Sequence, residues 1–115
     1  MVAKDYVPGR GDIVWLDFTP QAGHEQMGRR PALAISPKSY NERVGLGLFC
    51  PITSKEKGYP FEVRVNNRQI SGVVLSDQIK SLDWGKRNIE YITRAKREEI
   101  EEVIAKIKVL IIEEG

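Results

Sequence analysis

Asp12-Ile13-Val14-Trp15-Leu16-Asp17-Phe18 is the stretch on which the fold turns. Its β-branched and aromatic content marks a strand. Alternation sets Ile13 and Trp15 on one face and Val14, Leu16 and Phe18 on the other, so both faces carry apolar side chains. A strand of a one-layer sheet would show one polar face; this one needs cover on both sides, as in a small barrel with a second layer packed outside. Gly9 and Gly11 mark the turn before it, and Thr19 to Arg30 reads as a polar, glycine-containing loop after it. Further strands are expected at Pro31 to Ser36, Leu46 to Thr53, Phe61 to Val65 and Gly72 to Ser76, with Asp77 to Leu82 continuing the last. Pro31 suits a strand's first residue, where a missing N–H does least harm. Lys38 to Val44 is expected as a short helical turn and Ser54 to Pro60 as a charged loop. Asn66-Asn67 is expected as a hairpin turn, because asparagine tolerates positive φ.

The last segment changes period. Ile100, Val103, Ile104, Ile107, Leu110 and Ile111 fall at the spacing of an amphipathic helix, with Lys96, Arg97, Glu98, Glu101, Glu102 and Lys108 on the opposite face. Glu102 and Lys106 stand in the favourable i, i+4 order, and Thr93 is the expected N-cap. Ala95 to Leu110 would span roughly 24 Å at the α-helical rise, enough to cross a small barrel. Short strands first and one helix last give an α+β, mainly β reading: a compact SH3-like barrel with a C-terminal amphipathic helix, one domain over 1–115.

The 115 residues suit one modest core, and 41% hydrophobic content excludes a disordered chain. Cys50 is the only cysteine and His24 the only histidine, so an intramolecular disulfide is impossible and no soft-ligand cluster can form. The expectation is a protein without a zinc cluster, in a reducing cytoplasmic setting. No stretch approaches a membrane span, and residues 1–10 hold no apolar signal core. Net charge is only +2, but residues 27–68 carry 8 basic side chains against 3 acidic ones. That segment fits a polyanion as partner, or else is an ordinary solvated surface.

No P-loop, Gly-x-Gly-x-x-Gly, His-Glu-x-x-His or Ser/His/Asp set occurs. Cys50 sits in an apolar strand pattern, where an inert buried thiol is the simpler reading. Gly23 to Pro31 (GHEQMGRRP) is the informative run: it packs an acid, an amide, an imidazole and two guanidiniums between two strands. Arginine matches phosphate because its planar fork donates two parallel hydrogen bonds and keeps its charge. The plainer alternative is a loop anchored by an Arg–Glu pair.

Several ordered pieces extend this: Gly11-Asp12-Ile13-Val14-Trp15 with Asp17 and Pro20; Gly23-x-Glu25-Gln26-x-Gly28-x-Arg30-Pro31; Ser36-Pro37 with Tyr40-Asn41; Pro51-x-Thr53-Ser54; Lys57-Gly58-Tyr59-Pro60-Phe61-Glu62-Val63; and Gly72-Val73 with Asp77-Gln78-x-Lys80-Ser81. In these pieces the chain resembles the MazF/PemK family of toxin endoribonucleases along nearly its whole length. The resemblance implies a CcdB/PemK-type barrel, a homodimer, and sequence-specific, metal-independent cleavage of single-stranded RNA by attack of the ribose 2′-hydroxyl, leaving a cyclic phosphate and a 5′-hydroxyl. It also implies a cognate antitoxin whose acidic, flexible tail covers the RNA groove.

By the same resemblance Arg30 would stabilise the phosphorane, Thr53 would hold a phosphate oxygen, and Glu25 would act as base or as orienting partner of Arg30. In PemK-like members an Arg and an Asp two residues later form the catalytic pair with a histidine. Asp77 and His24 match the last two, but Leu75 stands where that Arg would be, which favours Arg30 and leaves Asp77 as catalytic or as groove lining. Arg29, Lys57 and Arg87 are candidates for RNA-backbone contacts, Gln78 for base edges and Tyr59 for stacking; Phe61 and Trp84 are better read as core. Two readings from other classes stand beside this one. A gyrase-inhibiting toxin of the CcdB type shares the fold, but its C-terminal Trp-Gly-Ile signature is unmatched by Ile111-Ile112-Glu113-Glu114-Gly115. A non-catalytic single-stranded RNA-binding module is the other.

Overall fold

The structure is a computed structural model and describes residues 6–18 and 28–112. Seven strands and two helices follow one another as β1 (Asp12–Asp17), β2 (Arg29–Ala34), α1 (Lys38–Val44), β3 (Gly47–Thr53), β4 (Glu62–Asn66), β5 (Ser71–Leu75), β6 (Lys80–Leu82), β7 (Glu90–Arg94) and α2 (Arg97–Ile111). The strands form a curled antiparallel half-barrel in the order β4-β5-β3-β2-β1-β7, with β6 paired to β3 off that path. β3 is shared. Its first residues pair with β6, its middle with β2, and Ile52 and Thr53 with Val74 and Val73 of β5.

The two-faced pattern of β1 is realised as two cores. Ile13 joins Leu33, Cys50, Ile52, Val63, Val65 and Val74 under α2, which contributes Val103 and Ile107. Val14, Leu16 and Phe18 join Ala32, Ala34, Phe49 and Leu82 on the other face, with Trp84 packed against them. At roughly 25 cal/mol per Å² of apolar surface, filling both faces is the main gain from folding a chain this short. Trp15, expected on the Ile13 face, is 36% exposed.

Three local expectations are corrected, and one strand that the sequence reading lacked is added. Asp77 to Leu82 does not extend β5: Ser76–Gln78 is a 3-10 turn, and β6 begins anew at Lys80. Glu90–Arg94 is a strand, β7, paired to β1. Thr93 therefore lies in β7 and does not cap α2; instead the Glu99 carboxylate accepts from Lys96 N–H at 2.8 Å, covering one of the orphan donors of the helix start. The turn after β4 is made by side-chain bonds, not by positive φ. Asn67 Oδ1 accepts from Gln69 and Ile70 N–H at 2.9 and 3.0 Å, and among the described residues only Asn88, apart from glycines, has positive φ.

Candidate ribonuclease groove

Antiparallel pairing brings Arg30 and Thr53 together. Ala32, Leu33 and Ala34 of β2 face Pro51, Cys50 and Phe49 of β3. Carried two residues further, that register sets Arg30 opposite Thr53, on one face of the sheet. Both line a groove of about 870 Å³, together with Lys57, Tyr59, Asp77 and Gln78. Residues far apart in sequence, which the family resemblance singled out, thus share one concavity.

The period of two also separates the neighbouring arginines. Arg30 continues the row of Ala32 and Ala34, whereas Arg29 points to the other face. There it reaches Asp17 at 3.5 Å, its cross-strand partner, and Glu90 at 3.3 Å. Arg87 also lies outside the groove: its guanidinium donates to the Asp17 carbonyl at 3.0 Å. Arg29 and Arg87, expected at the RNA backbone, lie outside this groove and fasten β1 to its neighbours. His24 and Glu25 lie outside the described residues.

Each groove residue has a physical setting. Arg30 is half-buried, and burial lowers its pKa from the ordinary value. A guanidinium stays charged at neutral pH, so partial desolvation strengthens its pull on an anion without removing the charge. Thr53 Oγ1 accepts from Lys55 N–H at 3.2 Å, which fixes the oxygen and leaves the hydroxyl proton to be donated. Gly72 permits this arrangement, because a Cβ there would stand 2.6 Å from the Thr53 carbonyl oxygen.

Asp77 is held by the 3-10 turn. Its Oδ2 accepts from the Tyr59 hydroxyl at 2.7 Å, and among the described residues its Oδ1 is buried without a hydrogen-bond partner. The hydrogen bond to Asp77 raises the Tyr59 pKa, so the phenol remains a donor. Tyr59 is exposed and packs at 5.8 Å against Phe61, which is half-buried. Cys50 is fully buried with its thiol pushed up to about 12, first by burial and then by the charge of Asp77. It is an inert core residue, as its strand pattern predicts.

Sequence reasoning missed Glu62, which also lines the groove. Its carboxylate accepts from the backbone N–H groups of Lys57, Gly58 and Tyr59 at 3.0 to 3.3 Å. The available signal was a carboxylate two residues after a Gly-Tyr-Pro turn, in a segment where basic side chains outnumber acidic ones. Lys106 of α2 was missed as well: its ammonium donates to the Pro60 carbonyl, tying the helix to the same loop.

A protein-family model described as PemK-like, MazF-like toxin of type II toxin-antitoxin system matches residues 9–111. The chain is 45% identical over 111 residues to the endoribonuclease toxin MazF of Escherichia coli strain K12, covering 96% of this chain and 99% of that protein. The crystal structure of MazF from Deinococcus radiodurans superposes with a TM-score of 0.90 at 53% identity, over 93% of this chain and 98% of that one. A MazE–MazF crystal structure from the same organism gives 0.83 at 45% identity, over 96% and 100% of the two chains. With the half-barrel, its terminal helix and the groove between β2, β3 and the loop before β4, these likenesses assign the chain to the PemK-like, MazF-like family of toxins of type II toxin-antitoxin systems.

Proposed function

We propose that the chain is a sequence-specific endoribonuclease toxin that cleaves single-stranded RNA without metal, as a single domain over 1–115. The observation that carries the reading is the meeting of Arg30 and Thr53 on one groove with Lys57, Tyr59, Asp77 and Gln78. In the proposed step the ribose 2′-oxygen forms a bond to its own phosphorus while the bond from phosphorus to the 5′-oxygen breaks. A 2′,3′-cyclic phosphate and a 5′-hydroxyl result. One proton leaves the 2′-hydroxyl and one reaches the departing 5′-oxygen. Negative charge gathers on the phosphorane oxygens, where Arg30 donates two N–H groups and Thr53 its hydroxyl. Glu25 and His24, on the segment joining β1 to β2, are assigned to the proton transfers, with Glu25 alternatively orienting Arg30. Asp77 lines the groove through its bond to Tyr59. Lys57 meets the RNA backbone, Tyr59 a base face and Gln78 a base edge.

The toxin acts in the cytoplasm as a homodimer, paired with an antitoxin whose acidic tail occupies the same groove. MazE–MazF complexes among the structural relatives support the pairing. Val109, Leu110, Ile111 and Ile112 at the end of α2 are 48 to 74% exposed, leaving an apolar helix end that self-association would cover. No helix among the described residues is long and apolar enough to cross a membrane.

Incubation of the purified protein with a long RNA in EDTA tests the proposal. Discrete fragments ending in cyclic phosphate are expected, and sequencing their 5′ ends reads out the cut motif. RNA retained on the protein but left intact would make it a binding module. Intact RNA with gyrase–DNA adducts would make it a topoisomerase poison.

A further inference from the structure

A carboxylate in a groove meant for a polyanion needs an explanation, because like charges oppose binding. Glu62 supplies its own. Oε1 accepts from Lys57, Gly58 and Tyr59 N–H at 3.3, 3.0 and 3.2 Å, and Oε2 shares the Lys57 N–H at 3.1 Å. Both oxygens are turned to backbone amides, whose positive ends offset the charge. Gly58 adopts φ 77°, the left-handed conformation that lets three successive N–H groups converge on one side chain. Glu62 itself is fixed, since it opens β4 and pairs with Leu75 of β5. The loop it gathers carries Lys57 and Tyr59, and is tied again by the Tyr59–Asp77 bond and by Lys106 on the Pro60 carbonyl.

We propose that Glu62 is a positioning residue: its carboxylate, acting through the three amides, holds Lys57 and Tyr59 as the wall of the RNA groove. The loop is thereby preorganised, so RNA binds without first ordering it. The contact of RNA with Lys57 and Tyr59 rests on the ribonuclease reading; the clamp rests on the hydrogen bonds alone.

The test compares Glu62→Ala and Glu62→Gln in steady-state cleavage of an RNA oligonucleotide and in amide hydrogen exchange. Glu62→Ala is expected to raise KM about tenfold with kcat within about a factor of two, the mark of lost uniform binding. Exchange at Gly58 and Tyr59 accelerates with it. Glu62→Gln keeps one carbonyl acceptor and should recover most of the affinity. In a Lys57→Ala/Tyr59→Ala background the Glu62→Ala effect on KM should largely vanish, which a role in general stability would not produce. Unchanged KM, an equal rise in that background, or undisturbed exchange at Gly58 and Tyr59 each overturns the proposal. So does a fall in kcat alone, which would make Glu62 part of the chemistry. Wild-type protein that neither cuts nor binds RNA would sink the ribonuclease reading instead, while amide exchange would still decide the clamp.

Discussion

Arg30→Ala is the perturbation that bears most directly on the mechanism. Removing one preorganised donor to developing negative charge costs about 10²–10³ in kcat, or about 2.7–4 kcal/mol. Arg30 is half-buried in a groove that also carries exposed residues such as Tyr59 and Lys57, so water screens part of its field. That sets the expected loss at the lower end, about a hundredfold in the single-turnover rate. Arg30→Lys keeps the charge and loses the fork, and should fall between the two. The assay is single-turnover cleavage of a labelled oligonucleotide in EDTA, with RNA affinity by anisotropy and folding by circular dichroism. Affinity should fall much less than rate, because the extra charge exists only in the transition state. Thr53→Val adds a second arm. If both groups grip one phosphate, the Arg30→Ala/Thr53→Val double variant is slower than wild type by less than the product of the single losses. A folded Arg30→Ala protein that cuts within a factor of about three of wild type, against the hundredfold reasoned above, refutes the assignment.

The remaining predictions concern the scaffold. Asn41 is wholly buried: its amide donates to the carbonyls of Pro8 and Ser36 at 2.7 and 3.1 Å, and it accepts from the Ser36 hydroxyl. Asn41→Ala strands these groups and should cost about 2–3 kcal/mol in a urea melt, with activity per folded molecule retained; a change below about 0.5 kcal/mol would show that the network is not a fastening. Cys50 ordinarily titrates at 9.0 and is held up to about 12 in the folded chain, first by burial and then by Asp77. The folded state therefore keeps a proton that the unfolded chain releases. This contribution to stability is intact below pH 9 and is lost as pH climbs from 9 toward about 12. Denaturation midpoints measured across that window should fall further in wild type than in Cys50→Ala, and parallel falls would contradict it.

How much of this was legible follows from what each feature depends on. β1, β3 and α2 announce themselves, because Ile13 to Phe18, Leu46 to Thr53 and Ile100 to Ile111 carry apolar residues at the period of their element. β7 does not: Glu90, Tyr91 and Arg94 are exposed on an edge strand with little core to bury, so burial leaves almost no pattern to read. Its pairing with β1, not its own composition, makes it a strand. Arg30, Thr53, Asp77 and Gln78 were recoverable from family motifs, but their convergence on one groove comes from the β2–β3 register. The strand start one residue before Arg30 divides it from Arg29, and a loop reading of 19–30 cannot make that distinction. Glu62 escaped because its partners are backbone N–H groups, and the turn before it is only a weak sign of them.

Strand β3 runs through the middle of the molecule, laced to β6, β2 and β5 along its length and flanked by both apolar layers. Such a segment has no private route to opening. To expose its amides, both layers must come apart, so its local opening free energy converges on that of the whole chain. Thr53 ends this seam, whereas Lys57 and Tyr59 ride on a solvent-facing bend only a few residues later. On the proposed ribonuclease reading, Thr53 sits at the end of the most deeply anchored strand while Lys57 and Tyr59 lie at the solvent-facing rim, so substitutions at the rim can alter the RNA preference without disturbing Thr53.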